Sequence, residues 1–114
     1  MKVLIADDSS LVRKNVRRLL STIASVSALC ESDSVASTIR SIDREHPDAL
    51  ILDLHLPDGT GYEVLMHLER YRERPKVIVL TTFAGEIERE RAFALGADYF
   101  LDKSTEYEQL FDLL

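Results

Sequence analysis

Two short runs in this chain are apolar without a break: Ala49 to Leu52 (ALIL) and Val77 to Leu80 (VIVL). A strand with one wet face alternates apolar and polar residues, whereas a strand covered on both faces does not. Both runs therefore suit central strands of a sheet held between helices. Three more strand-like runs accompany them: Val3 to Ala6, Val26 to Cys30 and Tyr99 to Leu101. Helical spacing fills the gaps. Val12, Val16, Leu19, Leu20 and Ile23 mark a first helix, with Ser9 or Ser10 as its N-cap. Val35, Ala36, Ile39 and Ile42 mark a second, capped by Asp33 or Ser34. It ends before His46-Pro47, because a residue preceding proline disfavours helix. Val64, Leu65 and Leu68 mark a third, and Glu86 to Leu95 a fourth that stops at Gly96. The apolar set of the fourth is thin: Ile87, Ala92, Phe93 and Leu95. A fifth runs from about Thr105 to Leu114. Strand and helix alternate five times, which predicts an α/β fold with a doubly wound, five-stranded parallel sheet and right-handed crossovers.

Composition narrows what such a domain does. The 114 residues, 46% of them apolar, suffice for one domain with one real core. Against 14 Lys and Arg stand 20 Asp and Glu, a net charge of −6. Direct nucleic-acid binding and an anionic membrane surface both want a basic face, so neither is expected. Cys30 is the lone cysteine, which excludes an intrachain disulfide and a cysteine-based zinc site. His46, His55 and His67 show no metal-ligand spacing. No signal peptide precedes Asp7, and no apolar run approaches the ~20 residues of a membrane helix. A soluble cytoplasmic domain is the expectation.

Function must come from the residues that follow the strands. Asp7 and Asp8 follow the first, Asp53 the third, Thr81 and Thr82 the fourth, and Asp102 and Lys103 the fifth. Open α/β sheets bind ligands at the carboxyl ends of their strands. In the order 2-1-3-4-5 the first and third strands are neighbours, which places Asp7, Asp8 and Asp53 in one pocket. Three carboxylates there repel one another. Mg²⁺, which prefers oxygen ligands, offsets that repulsion, and Lys103 is a further cation. Acids, a lysine and a hydroxyl beside a hard cation suit phosphoryl transfer, with one carboxylate as nucleophile. Each feature alone has a plainer origin: an Asp-Asp pair starts helices, a threonine ends strands, a lysine is solvated. Their coincidence on one edge is the signal.

With these residues in view the whole chain resembles a response-regulator receiver domain of two-component signalling. The segment ILDLHLPDGTG, Ile51 to Gly61, matches that family's apolar strand, acceptor Asp, two variable residues, Leu-Pro, three variable residues and Gly. The acidic pair lies in VLIADDS, the hydroxyl in VIVLTT and the lysine in GADYFLDKS. The resemblance implies one flavodoxin-like receiver domain over residues 1–114. It implies that Asp53 accepts a phosphoryl group from a histidine kinase or phosphotransfer protein, and that the domain is a signalling module rather than an enzyme. Asp7, Asp8, Asp53 and the backbone carbonyl of His55 would ligate Mg²⁺ or Mn²⁺. Thr81 and Lys103 would contact the phosphoryl oxygens. Thr81 and Phe100 would form the switch, with Phe100 lacking the hydroxyl of the family's usual tyrosine and Tyr99 pointing to the other face. His55, Thr82 and Phe83 fall where the family tunes the lifetime of the aspartyl phosphate. Ser104 replaces the usual proline after Lys103, so a trans bond is expected there. A homodimer through the fourth helix, fifth strand and fifth helix is a further implied partner.

Competing readings remain at this level. A haloacid-dehalogenase-type phosphatase also uses a strand-end Asp, but wants a second acid where this chain has His55. A flavodoxin-like cofactor binder wants a phosphate-cradling loop where this chain has Asp7 and Asp8. A degenerate receiver that binds partners without phosphorylation is the third alternative. Arg13, Lys14, Arg17 and Arg18 place four cations on the first helix, a candidate docking patch for an acidic partner or a merely solvated face. The length fits a stand-alone receiver or the amino-terminal piece of a longer regulator.

Overall fold

The computed structural model describes residues 1–114. Five parallel strands form its sheet: β1 (Lys2–Ala6), β2 (Ala28–Ser32), β3 (Ala49–Leu52), β6 (Lys76–Thr81) and β7 (Tyr99–Asp102). Their spatial order is β2-β1-β3-β6-β7, the doubly wound order expected from the alternation. Between β3 and the third helix two dipeptides, β4 (His55–Leu56) and β5 (Gly59–Thr60), make a small antiparallel hairpin. The helices are α1 (Ser10–Leu20), α2 (Val35–Glu45), α3 (Gly61–Leu68), α4 (Glu86–Ala94) and a short α5 (Leu110–Leu113).

Side chains on successive strand residues point to opposite faces, so each buried strand feeds two cores. Leu4, Ala6, Leu50, Leu52, Val77, Val79 and Phe100 meet α2, α3 and α4 through Ile42, Leu65, Leu68 and Ala92. Val3, Ile5, Ala49, Ile51, Ile78, Leu80 and Leu101 meet α1 and α5 through Val16, Leu20 and Leu110. Both continuous apolar runs are buried along their whole length. Each fully buried Leu or Ile stabilises by about 1.5–3 kcal/mol, enough for these two layers to dominate the fold.

Local signals decide the boundaries. Ser9 caps α1, its hydroxyl accepting from the Val12 amide. Ser34 caps α2 in a capping box with Ser37, and His46 ends that helix with a φ of 47°, just ahead of Pro47. Gly96 ends α4 with a φ of 104°, a region that L side chains avoid. Helix α4 buries only Ala92, and arginines add to its hold on the body. The Arg91 guanidinium lies 4.2 Å from the Tyr62 ring centroid, and that of Arg89 lies 5.2 Å from Phe93 and 5.8 Å from Phe100.

Two expectations need correction. Strand β2 runs two residues later than the apolar run Val26 to Cys30. Val26 closes a turn on Ile23, and the register is set by pairing of Ala28–Ser32 with Lys2–Ala6. Polar Ser32, buried and bonded to the Thr38 hydroxyl at 2.7 Å, belongs to the strand although no apolar pattern marks it. The last helix does not begin at Thr105. Asp102 takes the Ser104 amide and hydroxyl and folds that stretch into turns, so a 3₁₀ turn at Tyr107–Gln109 leads into α5. No peptide bond is cis, so Lys103-Ser104 is trans, as its non-proline sequence implies.

Candidate functional site

Three strands deliver the site. Pairing of Ala6 with Leu52 brings the residues after β1 and β3 side by side. Asp7 is tied by its amide to the Ser32 carbonyl at 3.1 Å, and Asp53 by its amide to the Ala6 carbonyl at 2.9 Å. Pairing of Thr81 with Asp102 sets the next residue, Lys103, whose amide bonds the Thr81 carbonyl at 2.9 Å. The loop after β3 is pulled tight against α3. A Cβ on Gly61 would come 2.5 Å from the Asp53 carbonyl oxygen, so only glycine allows this approach.

Asp7, Asp8 and Asp53 meet, with one carboxylate oxygen from each lying within 4.8 Å of the others. Asp7 and Asp53 are buried and Asp8 is exposed. Lys103 reaches in from the far strand. Its Nζ lies 2.6 Å from Asp7 Oδ2 and 3.0 Å from Asp53 Oδ2. Burial pushes the Asp7 carboxyl up, against the pull of Lys103 and of the Ser9 amide. Burial also works to lower Lys103, but its bonds to Asp7 and Asp53 prevail and its pKa stands above the ordinary value. A pocket with three acids and one ammonium keeps an excess of negative charge. All-oxygen donors with that excess fit a hard divalent cation.

The rim is aromatic. His55 and Phe83 stack with ring centroids 3.6 Å apart and planes at 24°. The buried Thr81 hydroxyl accepts from the Phe83 amide at 3.1 Å, while Thr82 beside it is exposed. Phe100 is buried and Tyr99 is 39% exposed, on the two faces expected of them. Arg89 lies over Phe100 and donates to its carbonyl at 3.4 Å.

The model of the response regulator receiver domain matches residues 3–114. The chain belongs to that family. Among similar proteins, the transcriptional regulatory protein YdfI of Bacillus subtilis is 31% identical over 110 residues, covering 96% of this receiver and 51% of that protein. The sensory transduction protein LytT of Enterococcus faecalis is also 31% identical, over 96% of the receiver and 45% of its own length. The receiver thus spans about half the length of these relatives. Among solved structures, a LuxR-family DNA-binding response regulator from Staphylococcus aureus superposes with a TM-score of 0.88 at 27% identity, over 97% of this chain and 92% of that one. This receiver is therefore a signalling domain of two-component response regulators, a family whose members work with histidine kinases or phosphotransfer proteins. None of its helices is long and apolar enough to cross a membrane.

Sequence reading foresaw the four-residue constellation but missed its supports. Arg13 donates to the Asp7 carbonyl at 2.7 Å, and both Arg13 and Arg17 pair with Glu31 at 3.0 and 3.1 Å. A single carboxylate thus pairs with two of the four cations on α1, which leaves Lys14 and Arg18 without an ion-pair partner. Asp58, in the β4–β5 turn, caps α2 across 22 and 23 residues of sequence. Only the rule that helix starts attract carboxylates hints at such a cap, and nothing in the sequence points to a donor so distant.

Proposed function

We propose that Asp53 is the phosphoryl acceptor of this receiver. The observation that carries the reading is Lys103 bridging Asp53 and Asp7 inside a pocket of three converging carboxylates. Asp7, Asp8, Asp53 and the His55 carbonyl would hold Mg²⁺ or Mn²⁺, which when bound neutralises charge on the phosphoryl oxygens. A carboxylate oxygen of Asp53 attacks the phosphorus of a partner's phosphohistidine. The P–N bond breaks, the imidazole leaves as the electron pair returns to its nitrogen, and an aspartyl phosphate forms. Lys103 stays beside the transferred group and balances its charge. Thr81 gives up its bond from the Phe83 amide as its hydroxyl turns to a phosphoryl oxygen, and Phe100 repacks with it. The switch works by packing because Phe100 has no hydroxyl. The stacked His55 and Phe83 rings screen the phosphate from water and lengthen its life.

Exposed Ile87, Phe93, Tyr99 and Phe111 supply apolar surface on α4, β7 and α5 for a homodimer or an effector. Lys14 and Arg18 are the charges on α1 that meet an acidic partner. The test is incubation with acetyl phosphate and Mg²⁺, read by intact mass and peptide mapping. A phosphoryl adduct at Asp53, absent from Asp53→Asn, is expected. An unmodified parent, or an adduct that persists in Asp53→Asn, overturns the assignment.

A further inference from the structure

The loop that carries Asp53 and His55 is fastened at its tip to a different helix. Leu54 and Leu56 bury themselves beneath it, and the β4–β5 hairpin pairs His55 with Thr60 and Leu56 with Gly59. At the turn, the Asp58 carboxylate leaves the loop and straddles the start of α2. Its Oδ1 accepts the Val35 amide at 2.7 Å and its Oδ2 the Ala36 amide at 3.0 Å. The next amide, Ser37, goes to the Ser34 hydroxyl at 3.0 Å, and the Ser34 amide itself goes to the Ser37 hydroxyl at 3.1 Å. A helix leaves its first four amides without partners of its own. Here all four are taken, two of them by a residue from the acceptor loop. A carboxylate at that position also faces the positive end of the helix dipole.

The capping box of Ser34 and Ser37 satisfies its own two amides, and Asp58 takes the two between them from outside the helix. The other effect of Asp58 is on the loop. Two bonds to rigid helix amides hold the turn, the turn holds the hairpin, and the hairpin orients the backbone at His55. We propose that Asp58 is a positioning residue for the cation pocket, clamping the hairpin to α2 so that the His55 backbone, whose amide bonds Asp53 Oδ1 at 3.4 Å, keeps its place beside the carboxylates. The proposal rests on the reading of Asp7, Asp8 and Asp53 as a divalent-cation site.

Mg²⁺ titration of the full chain, followed by the shift in thermal unfolding, tests it on four proteins: parent, Asp58→Ala, Asp58→Asn and Ser34→Ala. Residues that orient metal ligands typically cost ten- to a hundredfold in affinity when removed. Asp58→Ala should weaken apparent Mg²⁺ affinity about tenfold, at the low end of that range. Asp58→Asn keeps one acceptor oxygen and should recover part of the loss. Ser34→Ala loosens the same helix end without touching the loop; it should lower stability and leave Mg²⁺ affinity at the parent value. Unchanged affinity in both Asp58 variants, with stability lowered as in Ser34→Ala, would reduce Asp58 to a helix cap and overturn the proposal. Equal loss of affinity in Ser34→Ala would also overturn it, by tracing the effect to α2 rather than to the loop. A parent indifferent to Mg²⁺ would instead remove the cation reading, and the proposal with it.

Discussion

At the amino-terminal edge of the sheet Asp48 accepts the Lys2 amide at 2.7 Å and Asp98 accepts the Val77 amide at 2.8 Å. At the opposite edge Asp7 and Asp53 converge on the single ammonium of Lys103, with Asp8 alongside. The residue type is the same, and so is its place just before or just after a strand. The first pair satisfies backbone groups that the sheet would leave open, and so stabilises the fold. The second group crowds like charges into a pocket where the fold gains little from them. A carboxyl whose pKa burial raises, set among other charged groups in a pocket, marks a candidate functional site.

The largest expected contrast is chemical. Asp53→Asn should abolish labelling by acetyl phosphate, while Asp98→Asn, the same change at the other edge, should leave it intact; intact-mass spectra of the two proteins decide this. Next comes the cation. At about 100 times its dissociation constant Mg²⁺ should add about 2.7 kcal/mol of stability by mass action. Calorimetry should show that increment undiminished in Asp98→Ala and reduced in Asp8→Asn. Third, Asp98→Ala strips the Val77 amide of its partner and should cost about 1 kcal/mol, or about 4 °C in Tm. Fourth, Asp8 lies outside the two ion pairs, so Asp8→Asn without Mg²⁺ should raise Tm slightly by removing one of three neighbouring like charges. A lower Tm for Asp8→Asn would show that the two edges do not differ in the way described.

The smallest effect concerns pH. Bonds from the Ala36 and Val35 amides hold the Asp58 carboxyl below its ordinary 3.8. A carboxyl depressed on folding contributes stability that is present above its unfolded value and lost as pH falls through its folded one. The parent's lead over Asp58→Asn should therefore hold above pH 3.8 and shrink below it, which paired acid-unfolding curves will measure.

The parts visible in the sequence are those with a repeating physical cause. ALIL and VIVL announce central strands because only a two-sided core tolerates them. Asp7, Asp53, Thr81 and Lys103 could be grouped because each ends or follows a strand and parallel strands share one carboxyl edge. Other features had no such signature. The register of β2 depends on Lys2–Ala6 rather than on its own apolar residues, as an edge strand's does. The β4–β5 hairpin pairs two residues with two, too few for any periodicity to show. Glu31 reaching Arg13 and Arg17, and Asp58 reaching α2, are tertiary meetings between residues that look like ordinary surface charges in the linear chain.

The stack of His55 on Phe83 has a consequence of another kind. Two rings held face to face at 3.6 Å place each ring's edge protons in the magnetic shadow of the other. One ring belongs to the loop after β3 and the other to the segment that follows Thr81. A rearrangement of Thr81 that carried with it the Phe83 backbone, whose amide bonds the Thr81 hydroxyl, would slide one ring across its neighbour. The imidazole resonances of His55 are thus a native, label-free gauge of whether the rim is shut or parted.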